Sequence, residues 1–106
     1  MDFGLSQDQK MLRDAVARCL SGTCPLDHVR ECAEGEASYS DKVQSALSEL
    51  GITGMMVPEQ HGGLGMTLLD AAVVAEQLAY AVAPVPFLAS HVLAPIALAQ
   101  AGNEQQ

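Results

Sequence analysis

The sequence contains no tryptophan, two tyrosines, two phenylalanines and only five lysines and arginines in 106 residues. With so few aromatics in a chain that is 49% hydrophobic, a core has to be built from Ala, Leu, Val and Met. That is a helix-bundle composition, because Ala, Leu and Met rank among the better helix formers. The scarcity of basic residues and a formal charge of -8 argue against nucleic acid as a partner, since phosphate binding needs clustered Lys and Arg. The three cysteines, Cys19, Cys24 and Cys32, are odd in number and crowded into one third of the chain. They make a poor disulfide framework, and a reducing cytosol is the expected setting. Met1-Asp2-Phe3-Gly4 has neither a basic n-region nor an apolar h-region, so no targeting signal is expected. A chain of this length suits one small domain.

What is present reads as about five helices. Ser6-Gln7-Asp8-Gln9 has the form of a capping box, and Leu12, Ala15, Val16, Cys19 and Leu20 follow at helical spacing, which predicts a helix from Gln7 to Leu20. Ser21-Gly22-Thr23 is expected to end it. Pro25 then suits the first position of a short helix reaching Ala33. Gly35 to Ser40 reads as a loop, and Ser40 as the cap of a third helix, Asp41 to Leu50, stopped by a left-handed Gly51. Ile52 to Val57 reads as a packed connection or a short extended piece, and Glu59 to Gly65 as a glycine-rich loop. Thr67 and Asp70 repeat the capping logic for a fourth helix ending near Val82. Pro84-Val85-Pro86 breaks the chain before a fifth helix, Pro86 to Ala101, which Pro95 should kink.

The last two helices are apolar almost all round, Ala71 to Ala75 without a polar residue and the fifth helix with only Ser90, His91 and Gln100. Both are expected to be buried on several sides, and so short a bundle cannot surround them, which implies a missing partner surface. The uncharged stretch Ala81 to Ala99 could be misread as a membrane span, but its three prolines and small residues favour a buried helix pair.

Cys24, His28 and Cys32 recur every fourth residue, so they share one helix face, with Cys19 just before them. Such ligands suit zinc, but three of them strung along one straight helix do not easily converge on an ion, and buried thiols beside a surface histidine is the favoured reading. His61-Gly62-Gly63 superficially resembles an esterase oxyanion loop, yet no G-x-S-x-G elbow accompanies it. Gly62-Gly63-Leu64-Gly65 matches neither a P-loop nor a dinucleotide fingerprint, so its glycines are expected to make a tight reversal. Glu59, Glu76 and Glu104 are scattered, and no carboxylate pair or local nucleophile stands out.

The run from Leu50 to Gly65, L-G-I-T-G-M-M-V-P-E-Q-H-G-G-L-G, resembles a signature of the acyl-CoA dehydrogenase family. Leu69-Asp70, Glu76-Gln77-Leu78 and Ala101-Gly102-Asn103-Glu104-Gln105-Gln106 follow in register, and Leu5-Ser6 through Leu20 is similar to the family's first helix. His61 departs from the pattern, standing where an aromatic is common. The resemblance covers essentially the whole chain, residues 1–106, and implies an all-α bundle: the amino-terminal helical domain of the family, with the middle β-domain and carboxy-terminal helical domain expected to be absent.

The resemblance further implies FAD in the complete enzyme but not bound by this chain alone. An acyl-CoA thioester is the implied substrate, α,β-desaturation the reaction, and a glutamate in the carboxy-terminal part the base that takes the α-proton. No catalytic, cofactor-binding or metal-binding residue is assigned to this chain. In the family the helix equivalent to Pro86–Ala101 flanks the acyl cavity. Pro86, Ala89, Ser90 and Leu93 fall on one face of it, either as the pocket wall or as ordinary core packing. An acidic surface would repel the phosphates of coenzyme A, which also favours contact with the acyl tail. The rival readings are a non-catalytic helical interaction module or partner subunit, and a small metal-binding protein using the Cys24/His28/Cys32 face. The expected partners are the remaining domains of the same enzyme and a second copy. Size-exclusion chromatography should show self-association, driven by the apolar faces of the last two helices; a strictly monomeric elution would contradict it.

Overall fold

The computed structural model describes residues 4–35 and 39–106. The start at Met1–Phe3 and part of the expected Gly35–Ser40 loop, residues 36–38, lie outside the described residues. The architecture is all-α: α1 (Gln7–Thr23), α2 (Leu26–Glu34), α3 (Asp41–Glu49), α4 (Leu68–Tyr80) and α5 (Ala94–Ala101), with 3₁₀ turns at Ile52–Gly54 and Glu59–His61 and a π turn at Leu88–Leu93. No strand occurs among the described residues.

The caps form as the side-chain chemistry requires. Ser6 and Gln9 close a capping box on α1, and Thr67 and Asp70 close another on α4. The two boxes interlock, because Gln9 Nε2 donates to Asp70 Oδ1 at 3.1 Å and so joins the starts of helices far apart in sequence. The Thr67 backbone N–H holds the Asp70 carboxyl below the usual carboxylate range; partial desolvation opposes this, and the Gln9 and Thr67 side chains add to it. Ser40 caps α3 by accepting from the Val43 N–H, and its own N–H donates to Pro84 O at 2.8 Å, which ties the start of α3 to the turn before the last helix.

Several boundaries differ from the sequence expectation. α1 runs on through Ser21-Gly22-Thr23, because the Thr23 hydroxyl donates to Cys19 O and the Cys24 N–H to Leu20 O. Pro25 is the N-cap of α2 rather than its first helical residue. The connection after Gly51, which does take the left-handed conformation (φ 85°), opens with a 3₁₀ turn and not an extended piece. α4 ends at Tyr80, two residues early, in a Schellman motif: Ala83 N–H donates to Leu78 O and Val82 N–H to Ala79 O, with Val82 left-handed at φ 52°.

α1 packs against α3 and α4, α3 against the first 3₁₀ turn, and the π turn against both that 3₁₀ turn and α4. Val16, Leu20, Val43, Leu47, Ile52, Met55, Val74 and Val92 form the buried centre. The molecule measures 39 × 38 × 19 Å. Its short dimension is about two helix diameters, so the core is one seam deep and helices keep an open side. The accessible surface of 7106 Å² exceeds by about a quarter what a compact globule of 11.1 kDa shows. Burial of α4 and α5 on several sides is therefore not achieved within this chain. α4 buries Ala71, Val73, Val74 and Leu78 but exposes Leu68 and Leu69, and α5 buries no residue at all.

A β-branched residue in the left-handed region carries steric strain of about 1–2 kcal/mol, part of which a glycine would give back as unfolded-state entropy. Val82→Gly should therefore stabilise the chain by about 1 kcal/mol, read as a higher denaturant midpoint with an unchanged slope.

Candidate functional site

The segment Leu50–Gly65 is first of all a piece of backbone engineering. From His61 to Met66 its amide donors are all spent inside the protein: His61 and Gly63 donate to Pro58 O, Gly62 to Glu59 O, Leu64 to Gly54 O, Gly65 to Val57 O and Met66 to Met55 O. These bonds fold the loop back along the Gly54–Pro58 strip. At Gly63 the approach is closest, since a Cβ there would collide with the carbonyl oxygen and Cβ of Val57. The glycine-rich run thus makes the tight reversal the sequence predicted.

Anchoring a cofactor pyrophosphate takes free backbone N–H groups or clustered cations. Here the glycine-rich loop has no N–H left to offer from His61 to Met66, and no lysine or arginine lies in the second half of the chain. The glycine-rich loop therefore does not fit the pyrophosphate of a flavin.

Beyond the loop, the last helical segment starts at Phe87, and its π turn ends with the Ala94 N–H donating to Ala89 O, one residue further back than in an α-helix. Pro95 explains the opening. It lacks the N–H that would meet the carbonyl of His91, and its ring would crowd that oxygen, so the turn widens. Phe87, His91 and Val92 point into the core. Pro86, Ala89, Ser90 and Leu93 are all exposed, on the opposite side, so they are not core packing of this chain.

Clefts border this segment on two sides. One, of about 560 Å³, lies between the glycine-rich loop and α5, where Val57, Pro58 and His61 face Ser90, Ala94 and Leu98. It unites Ser90 with the loop, whereas Pro86, Ala89 and Leu93 do not line it. The other, of about 670 Å³, runs between α2 and α4 past Val29, Cys32, Leu78, Val85, Phe87 and Leu88. Neither cleft is legible in local sequence, because each is lined from elements separated by tens of residues. The one local signal was His91, a lone ionisable side chain in an apolar stretch.

The Cys24/His28/Cys32 face does not converge. Cys24 is buried in the core, and burial, then the neighbouring Cys32 thiol, pushes its thiol up. His28 turns its Nε2 to Ser40 Oγ at 2.6 Å, with Cys32 Sγ at 3.8 Å, and is half-buried rather than at the surface. Among the described residues, no three His, Cys, Asp or Glu side chains are grouped so as to hold a metal ion, and no helix is long and apolar enough to cross a membrane.

The family model described as "Acyl-CoA dehydrogenase, N-terminal domain" matches residues 6–106. The chain is 35% identical to acyl-CoA dehydrogenase IpdE2 of Mycolicibacterium smegmatis, over 95% of this chain and 32% of that protein. It is 31% identical to acyl-CoA dehydrogenase FadE27 of Mycobacterium tuberculosis, over 99% of this chain and 28% of that protein. The ChsE4-ChsE5 complex of Mycobacterium tuberculosis contains a chain that superposes with a TM-score of 0.89 at 31% identity, covering 99% of this chain and 29% of that one. The chain spans about a third of the length of the curated relatives it matches.

The loop predicts a contrast between neighbouring glycines. Gly63→Ala should cost about 3 kcal/mol or more, because backbone must move. Gly62→Ala, at φ 87° but in open space, should cost only about 1–2 kcal/mol. Equal losses in urea melts would contradict the close-approach account. The tight loop, the capped helices and the open apolar face are those of one domain type, and the chain belongs to the acyl-CoA dehydrogenase family through that family's N-terminal helical domain.

Proposed function

We propose that this chain serves as the N-terminal domain of an FAD-dependent acyl-CoA dehydrogenase, where it supplies a wall of the acyl pocket and a packing surface for the domains that bind flavin and carry the catalytic base. The observation that carries the reading is the outward face of Pro86, Ala89, Ser90 and Leu93, which is apolar but for one hydroxyl and has no cover within the chain. Exposed apolar surface on this scale marks an interaction or ligand surface. A pocket for an acyl chain is concave, mostly apolar and sparingly polar, which is the chemistry of this face; the adjoining Ser90 cleft is more mixed, with Gln60, His61 and Glu104 beside Val57, Ala94 and Leu98.

In this role the chain contributes shape and exclusion of water, and no catalytic residue. Ala89 and Ser90 are small, so they leave room for a long or bulky acyl group. The same uncovered surface also fits the second reading, a non-catalytic helical module that docks on a partner subunit. In the enzyme that carries this domain, Ser90→Phe should shift preference toward shorter acyl thioesters, lowering kcat/KM for the longest accepted chain by about tenfold or more relative to the shortest. A chain-length profile identical to that of the parent would refute the wall.

A further inference from the structure

The wall rests on a turn that an ordinary α-helix does not contain. Inserting a π turn sets the residues after it back by about one position, roughly 100° around the helix axis, relative to an uninterrupted α-helix. Pro95 accounts for the opening of the turn but not for which side chains end up outside. That choice is made where the turn meets the core.

His91 is the ionisable side chain at the middle of the turn, and only 6% of it is exposed. Its ring stands edge-on to Phe87, with centroids 5.8 Å apart and planes at 83°. Its Nε2 lies 2.8 Å from the side-chain nitrogen of Gln44 on α3. With the amide nitrogen against the ring, Nε2 accepts the hydrogen bond and the ring proton sits on Nδ1. Turning the amide over would offer Oε1, which is buried without a partner, to an Nε2–H instead. A buried imidazole left without this bond would pay the full desolvation penalty. Only one rotation of the turn delivers His91 to Gln44, and in that rotation Ala89, Ser90 and Leu93 face outward.

We infer that the Gln44–His91 hydrogen bond sets the register of the π turn and thereby selects the side chains that line the acyl wall. Gln44 and His91 are positioning residues: they act through Ala89, Ser90 and Leu93 and do not themselves reach the outer face. The inference rests on the wall reading above, so Ser90→Phe is carried alongside as its reference.

The test uses the enzyme that carries this domain and a series of saturated acyl-CoA thioesters. Gln44→Met keeps the length and bulk of the side chain but removes the bond, and His91→Leu removes it from the other side. His91→Gln retains a hydrogen-bonding group near the position of Nε2. Gln44→Met and His91→Leu should each change the ratio of kcat/KM between the longest and shortest accepted chains by about fivefold or more, chiefly through KM, with kcat on the best substrate within about twofold of the parent. The double variant should shift no further than either single one, and His91→Gln should keep the parental profile. A crystal structure of the Gln44→Met enzyme should show the Ala94 N–H released from Ala89 O or Ser90 turned from its place.

A shifted profile in Ser90→Phe with a parental one in Gln44→Met and His91→Leu overturns the positioning role while leaving the wall intact. Retention of the Ala94–Ala89 bond and of an outward Ser90 in the Gln44→Met structure overturns it independently of any activity. An unshifted profile in Ser90→Phe defeats the wall reading, and this inference with it.

Discussion

The approach of Gly63 to Val57 is the constraint from which the rest of the domain hangs. α3 and α4 are joined by a long connection that must reverse without strands to guide it, and it does so by spending its amide donors on its own carbonyls. Only a residue without a Cβ allows the returning chain to lie that close. Once closed, the connection presents Ile52 and Met55 to the core between α3 and the π turn, and it delivers Thr67 to the spot where Asp70 can meet Gln9 at the start of α1. A signature that reads like a ligand loop is thus largely a fold determinant, which also forms one side of the cleft that reaches Ser90.

The second constraint is thinness. A slab 19 Å deep has room for one apolar seam, and α1, α3 and the inner faces of α4 and the π turn fill it. The remaining apolar side chains, including Leu68, Leu69, Leu88 and Leu93, stay in solvent. At about 25 cal/mol per Å² of apolar surface, such exposure is a standing drive toward association with another surface. The chain covers 32% of IpdE2 and 28% of FadE27, each of which is therefore about three times as long.

Much of this was legible in the residues, and the failures are informative. Ser6, Ser40 and Thr67 were read as caps and are caps, because a short side-chain oxygen at a helix start answers a local shortage of acceptors. Gly51 was read as a left-handed stop for the same kind of local reason. The end of α4 was misjudged because Val82 adopts a conformation that its own sterics disfavour, held by bonds from the turn that follows. At Pro95 the helix opens into a π turn, a local response to the missing N–H and the bulk of the ring, and only the tertiary structure puts His91 of that turn against Gln44.

The sequence by itself determined the helical class, the caps, the tight glycine reversal and the excess of apolar surface, since each depends on neighbours within a few residues or on composition. The tertiary structure alone decided which face of the last helix stays open, that His91 is buried against Gln44, and that Ser90 shares a cleft with the glycine-rich loop. Those outcomes depend on contacts across 30 to 60 residues, and no local pattern encodes which of two faces a distant helix will cover.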